Sequence, residues 1–178
     1  MASNAVEQLK RLVAPPSRPS GEPAWQRFRD EFGCAPPSDY AQFVKDYGLG
    51  SFDNFLWVFH PSSREHLDIV GESQSRLLAL RELIGAGEQV PYAIGDGRSE
   101  VIPWACTDNG DVCFWVVSPG VSPDEWTVAV NESRGPDWVA FDGSMSEFLV
   151  AVLSGATPCS IFPDDFPSDE PEFSPIAK

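Results

Sequence analysis

The hydrophobic positions of this chain recur with helical spacing in its first fifty residues. Trp25, Phe28 and Phe32 lie three or four residues apart, which predicts a helix over residues 23–32 that Gly33 can end. A second helix follows the Pro36-Pro37 break, with Ser38 as its expected cap. Its apolar stripe consists of Tyr40, Phe43, Val44 and Tyr47. We expect the short connection to pack the two helices as a hairpin, with both stripes in the core.

Three further helices are predicted from the same spacing. A short one covers residues 4–13 with Asn4 as its cap, and a long one covers residues 63–84 with a break near Gly71. The buried side of the long helix is marked by Leu67, Val70, Leu77, Leu80 and Ile84. The last helix opens at residue 144 with the capping-box sequence Ser-Met-Ser-Glu and continues with an apolar face.

Strand-like runs occupy the middle of the chain. Residues 55–59 form a buried apolar run, and short strands are expected at 91–94 and 138–141, with a Gly-Asp-Gly turn at 95–97. The strongest turn signal is Asn109-Gly110, which favours a two-residue hairpin loop.

A two-residue loop fixes the pairing of the strands on either side of it. It places Trp104 opposite Trp115 and Cys106 opposite Cys113, with all four side chains on one face. The run at 126–130 adds a third strand beside them.

The composition divides the chain into three parts. Residues 1–22 contain a helix and a proline-rich linker, residues 23–155 form an α+β domain, and residues 156–178 form a proline-rich acidic tail. The tail also carries three phenylalanines, which favour docking of at least its first half against the domain.

Charge restricts the classes of partner. The net charge is −15, which disfavours nucleic acid and anionic membranes and permits attraction to a basic protein. Acidity that serves only solubility is an equally good explanation. Without a secretion signal or an apolar run of ~18 residues, we expect a cytoplasmic protein whose four cysteines are free thiols.

No sequence motif of a known reaction centre is present. The glycines at 95 and 97 are followed by Glu100, where a dinucleotide fingerprint needs glycine, and the two histidines, His60 and His66, lack a zinc-binding pattern. The acidic cluster at 108–111 lacks calcium-loop spacing. A catalytic cysteine–histidine pair is not ruled out by the sequence, because such partners can meet only in the fold. We therefore expect no enzyme activity, no metal and no cofactor.

Two sets of residues, in this order and spacing, are similar to a known family. The first comprises Trp25-x-x-Phe28, Phe32-Gly33, Pro36-Pro37-Ser38-Asp39-Tyr40-x-x-Phe43 and Tyr47-Gly48-x-Gly50. The second comprises Asp108-Asn109-Gly110-Asp111, Phe114-Trp115, Pro123-Asp124-Glu125-Trp126 and Phe148-Leu149. Over residues 23–155 the chain resembles the SUKH superfamily, in the branch related to the yeast cell-wall assembly regulator. Many members have Leu-Pro before the Asp-Tyr step, where this chain has proline, proline and serine.

The resemblance implies an α+β fold with a single curved, mostly antiparallel sheet flanked by helices. It also implies a binding protein, because bacterial members commonly serve as immunity proteins that neutralise polymorphic protein toxins, often nucleases. A non-catalytic regulatory or scaffold protein, with the tail as a docking peptide, is the alternative, and an enzyme with an unrecognised site is the third possibility.

The expected partner is a basic toxin domain. Loops at strand ends are the natural place to contact it. The candidate contact residues are Asp108, Asp111, Asp124, Glu125 and Glu132.

Overall fold

A computed structural model describes residues 2–17, 23–62, 65–95 and 99–176. The helices in these ranges are α1 (Ala2–Leu12), α2 (Trp25–Phe32), α3 (Ser38–Tyr47), α4 (Ile69–Gly85) and α5 (Met145–Leu153). The strands are β1 (Gly50–Phe52), β2 (Leu56–Val58), β3 (Val101–Thr107), β4 (Val112–Val116), β5 (Thr127–Asn131), β6 (Trp138–Phe141) and β7 (Phe173–Pro175). Single 3₁₀ turns cover Glu65–Leu67 and Pro123–Glu125.

The strands form one open antiparallel sheet in the order β6-β5-β4-β3-β2-β1-β7. The first six are a meander, in which each strand pairs with the next along the chain, and the tail returns to add β7 beside β1. The expected α+β fold, with one antiparallel sheet flanked by helices, is confirmed.

The two faces of the sheet are covered differently. On one face the main core packs under α1, α3 and α5, and on the other a smaller cluster packs under α4. Neighbours in β4 show the division, since Trp115 belongs to the main core and Phe114 to the smaller cluster. Successive side chains of a strand point to opposite faces, so β4 can be buried continuously only because helices pack on both faces of the sheet.

The predicted α2–α3 hairpin is wrong. α2 packs mainly against α4, whereas α3 packs against α1 and α5. Pro37, with φ −52° and ψ 139°, is the extended residue before α3, so the chain changes direction there. The two helices meet through their aromatic rings, as in the Phe28–Tyr40 pair with ring centroids 6.2 Å apart.

Several helix boundaries also differ from the prediction. Asn4 lies inside α1, which begins at Ala2, and Ser38 is the first residue of α3 instead of its cap. The long helix breaks at Asp68, whose carboxylate accepts a hydrogen bond from the Gly71 amide at 3.2 Å and caps α4. Because α4 is buried only along its sheet-facing side, Ile84 is exposed.

The hairpin between β3 and β4 turns at the predicted place with a different register. Its loop has three residues, 108–110, because the Thr107 amide donates to the Asp111 carbonyl at 2.9 Å. Gly110 closes the loop with φ +93°, as expected for a type I turn followed by a left-handed glycine.

The longer loop shifts the strand pairing. Cys106 lies opposite Val112, so the predicted pairs of cysteines and tryptophans are wrong. A bulge at Trp104 then shifts the register once more, and Trp115 pairs with Ile102. The bulge keeps Trp104 in the core, where its ring centroid lies 6.2 Å from that of Trp115.

The acidic tail is docked against the domain. Phe162 and Phe166 are buried beside Phe55, with ring centroids at 5.9 and 4.6 Å, and Phe173 in β7 packs on Phe52 at 5.2 Å. Leu9 of α1 and Val13, which follows the helix, are likewise part of the main core. The predicted linker over 14–22 and the turn at 95–97 lie partly outside the described residues.

Candidate functional site

One end of the sheet gathers the turns β1–β2 (53–55), β3–β4 (108–111) and β5–β6 (132–137). Antiparallel meander strands bring alternate turns to the same end. Hydrogen bonds tie them together, since the Asp108 amide donates to the Phe55 carbonyl at 2.9 Å and the Ser133 hydroxyl donates to the Asn109 carbonyl at 2.8 Å.

The tail joins the same end through Asp53. Its two carboxylate oxygens accept hydrogen bonds from the amides of Ser168 and Glu172, at 2.9 and 2.8 Å. The segment 164–172 is thereby held beside the β1–β2 turn. We call the three turns and this segment the acidic end.

The acidic end concentrates negative charge. It carries ten carboxylates and a single basic residue, Arg134. The carboxylates belong to Asp53, Asp108, Asp111, Glu132, Asp137, Asp164, Asp165, Asp169, Glu170 and Glu172. Seven of them are exposed, so this end projects a strong negative potential into solvent.

Asp111 plays a structural part within this end. It is buried, and its carboxylate accepts hydrogen bonds from the Thr107 hydroxyl at 2.7 Å and the Ser133 amide at 3.0 Å. These bonds fix the β3–β4 turn against the β5–β6 loop. Asp111 therefore positions the exposed carboxylates and does not face solvent itself.

Asp108 and Glu132, two other candidates from the sequence, also lie at the acidic end. Asp108 is exposed at the tip of the β3–β4 turn. Glu132 is half-buried at the start of the β5–β6 loop, where its amide donates to the Asp137 carbonyl at 3.0 Å. Both carboxylates are placed where an approaching protein can reach them.

Asp124 and Glu125 lie at the opposite end of the sheet, in the β4–β5 connection. One carboxylate oxygen of Asp124 accepts a hydrogen bond from the Ser38 amide at 2.6 Å, which satisfies a free donor in the first turn of α3. Glu125 is exposed beside it. The five candidates therefore do not form one surface: three lie at the acidic end and two at the other.

Asp53, Asp137 and the acidic side chains of the tail were missed as candidates. For the tail, the only signal in the sequence is its composition, a run of acids among phenylalanines. The strand order is what brings residues 53, 108, 137 and 164–172 to one place.

The thiols do not have the properties of nucleophiles. Burial raises the pKa of Cys106 to about 11 and raises the pKa values of Cys34, Cys113 and Cys159 as well, whereas a reactive cysteine needs a lowered pKa. All four cysteines are unbonded. Among the described residues, no group of three or more His, Cys, Asp or Glu side chains is arranged to hold a metal ion.

Comparison of the chain with protein-family models, with curated proteins and with solved structures found no match in any of the three. Within the part of the chain that the structure describes, no helix combines the length and apolar character needed to cross a bilayer.

Proposed function

We propose that this protein is a cytoplasmic immunity protein that binds a basic toxin domain one-to-one and blocks it without chemistry. The observation that carries the proposal is the acidic end, where ten carboxylates and one arginine lie on turns that are joined by hydrogen bonds. Complementary charge accelerates association and excludes acidic competitors, which suits a protein that must capture a toxin quickly.

The similarity of residues 23–155 to the SUKH superfamily supports the same proposal. Those sequence positions have evident roles in the fold: Tyr40 and Phe43 are fully buried, Gly50 lies against the tail, and the loop at 108–111 is part of the acidic end. The proposal extends the family's toxin-binding activity to this chain and assigns the contact to the turns.

The alternative, a scaffold protein whose tail is a free docking peptide, is less well supported. The tail's phenylalanines are engaged within the domain, and Asp53 holds the segment between them and β7. A partner would have to displace these contacts before it could bind the tail as a peptide.

The test is co-expression with a basic toxin domain whose gene lies next to this one. We expect cells that produce the toxin to survive when this protein is present and to die without it. A variant carrying lysine at Asp108, Asp137 and Asp169 should protect less, because three exposed charges of the acidic end are reversed. If the unmodified protein gives no protection, the immunity proposal is wrong for that pair.

A further inference from the structure

A groove of about 500 Å³ opens beside the acidic end, between α4 and the sheet. On the helix side it is lined by Arg76, Ala79, Leu80 and Leu83, which share one face of α4. On the sheet side it is lined by Val112 and Phe114 of β4, with Gly110 and the loop 131–136 at its mouth. The volume lies in the range of natural ligand sites.

The groove has an apolar lining, of which Leu83 is the accessible part. Leu83 is 42% exposed and lines the groove together with Leu80, Val112 and Phe114, which are buried. A helix packed on a sheet ordinarily hides such a leucine, so part of this apolar surface is left uncovered. An apolar side chain from outside would complete the packing.

The rim of the groove favours a cation only when the adjoining turns are counted with it. Glu88 and Glu132 line the groove together with two arginines, of which Arg76 is paired with Glu72 at 2.9 Å and Arg134 is exposed in the β5–β6 loop. The C-terminal end of α4 points the negative end of its dipole here, and its last turn holds no basic residue. The exposed Asp108 and Asp137 lie in the turns that continue the rim into the acidic end.

We propose that this α4–sheet groove receives a bulky apolar side chain of the toxin domain, flanked in the toxin's sequence by lysine or arginine. The apolar side chain packs on Leu83, above the buried Leu80 and Phe114, and the flanking cations meet Glu88 and Glu132. A buried central anchor surrounded by charges is the usual arrangement of a tight protein interface. This inference rests on the proposed function and names the contact that holds the toxin.

Two pairs of matched variants test the groove. Leu83→Ser removes the exposed apolar contact, and Leu78→Ser makes the same change at a leucine of α4 that is 52% exposed and outside the groove. Glu88→Gln removes a rim charge, and Glu82→Gln removes an exposed charge of α4 outside the groove. All four positions lie at the surface, so the variants should fold, which thermal unfolding checks.

The first measurement is the affinity of each variant for the toxin domain against which the unmodified protein protects cells. We expect Leu83→Ser to raise the Kd about tenfold, mainly through faster dissociation, and Glu88→Gln to slow association. Leu78→Ser and Glu82→Gln should behave as the unmodified protein. Equal affinities for Leu83→Ser and Leu78→Ser would overturn the groove proposal and leave the immunity function standing.

If the toxin does not bind, the immunity proposal is wrong. A second measurement then tests the groove by itself. Blocked tripeptides Lys-Leu-Lys, Lys-Gly-Lys and Glu-Leu-Glu are titrated into the full-length protein, with amide chemical shifts as the readout. We expect Lys-Leu-Lys alone to shift the amides of Leu83, Gly110 and Val112, and Leu83→Ser to abolish the effect. Shifts elsewhere, or equal binding of Lys-Gly-Lys, would overturn the groove proposal.

Discussion

Part of the chain's negative charge belongs to acidic side chains that stabilise the fold. Asp39 is buried and accepts hydrogen bonds from the amide and hydroxyl of Ser146, both at 2.9 Å, at the start of α5. Asp68 pairs with both terminal nitrogens of Arg27, at 2.9 and 2.8 Å. The partners in these contacts lie far apart in the chain, so local sequence patterns do not predict them. The capping box of α5 was predicted because its two residues are only three positions apart.

Cys106 provides a prediction about pH. Burial raises its pKa to about 11 from an ordinary value of 9.0, so between these values the unfolded chain binds fewer protons than the folded chain. The contribution to stability is fully present below pH 9 and is lost as the pH rises through 11. We expect the free energy of unfolding to fall over this range, and to fall less steeply in Cys106→Ala.

Urea unfolding at pH 7, 9, 10 and 11 measures the slope for both proteins. Only the slopes of unfolding free energy against pH are compared, because removing the thiol also leaves a small cavity that changes the absolute stability. Buried Cys113, Tyr40 and Tyr47, whose pKa values are also raised, should leave some pH dependence in the variant. Identical slopes in the two proteins would contradict the prediction.

At the scale of elements, periodicity predicted α2, α3, α5 and the central strands, because their apolar stripes are long and end at clear signals. Periodicity did not predict the strand register, which a single added residue changes. The Asn109-Gly110 signal is compatible with loops of two or three residues, and the bulge at Trp104 has no local signature. Strand β7 was missed because its pairing partner, β1, lies more than a hundred residues away.

The pairing of β7 with β1 depends on Gly50. A methyl group there would meet the Ser174 carbonyl and lie 2.7 Å from the ring of Phe173. We therefore expect Gly50→Ala to displace β7 and lower the free energy of unfolding by about 1–3 kcal/mol. The measurements are urea unfolding and hydrogen exchange of the Asp53 amide, which donates to the Glu172 carbonyl at 2.9 Å.

Gly85→Ala is the matched control. Gly85 ends α4, and an added methyl group would meet no atom within 4 Å, so this variant should be as stable as the unmodified protein or slightly more so. If Gly50→Ala keeps the same stability and the same exchange protection as Gly85→Ala, β7 does not depend on the close approach at Gly50.

At the scale of the whole molecule, the sequence gives the amount of charge but not its location. The net charge of −15 is visible from composition, and Asp108 and Glu132 could be chosen from their place in predicted loops. Whether these loops share an end with Asp124, Glu125 or the tail depends on the strand order and on where the tail docks. Both are set by long-range packing, which local patterns do not encode.

The separation of charge between the two ends gives the last prediction. Two double variants reverse the same number of exposed charges: Asp108→Lys with Asp137→Lys at the acidic end, and Glu125→Lys with Asp142→Lys at the other end. Asp124 is left unchanged because it accepts a hydrogen bond from the first turn of α3. If the acidic end faces the toxin, its variant should associate about tenfold more slowly at low salt, since steering depends on charge near the interface.

Stopped-flow association at several salt concentrations provides the comparison. For the unmodified protein, added salt should slow association far more than it speeds dissociation, and this salt dependence should be weakest in the acidic-end variant. The variant at the other end should stay close to the unmodified protein. If both variants lose association rate equally, only the net charge of −15 matters, and the toxin does not approach the acidic end in particular. If the Glu125 variant alone is slow, the contact lies at the β4–β5 connection instead.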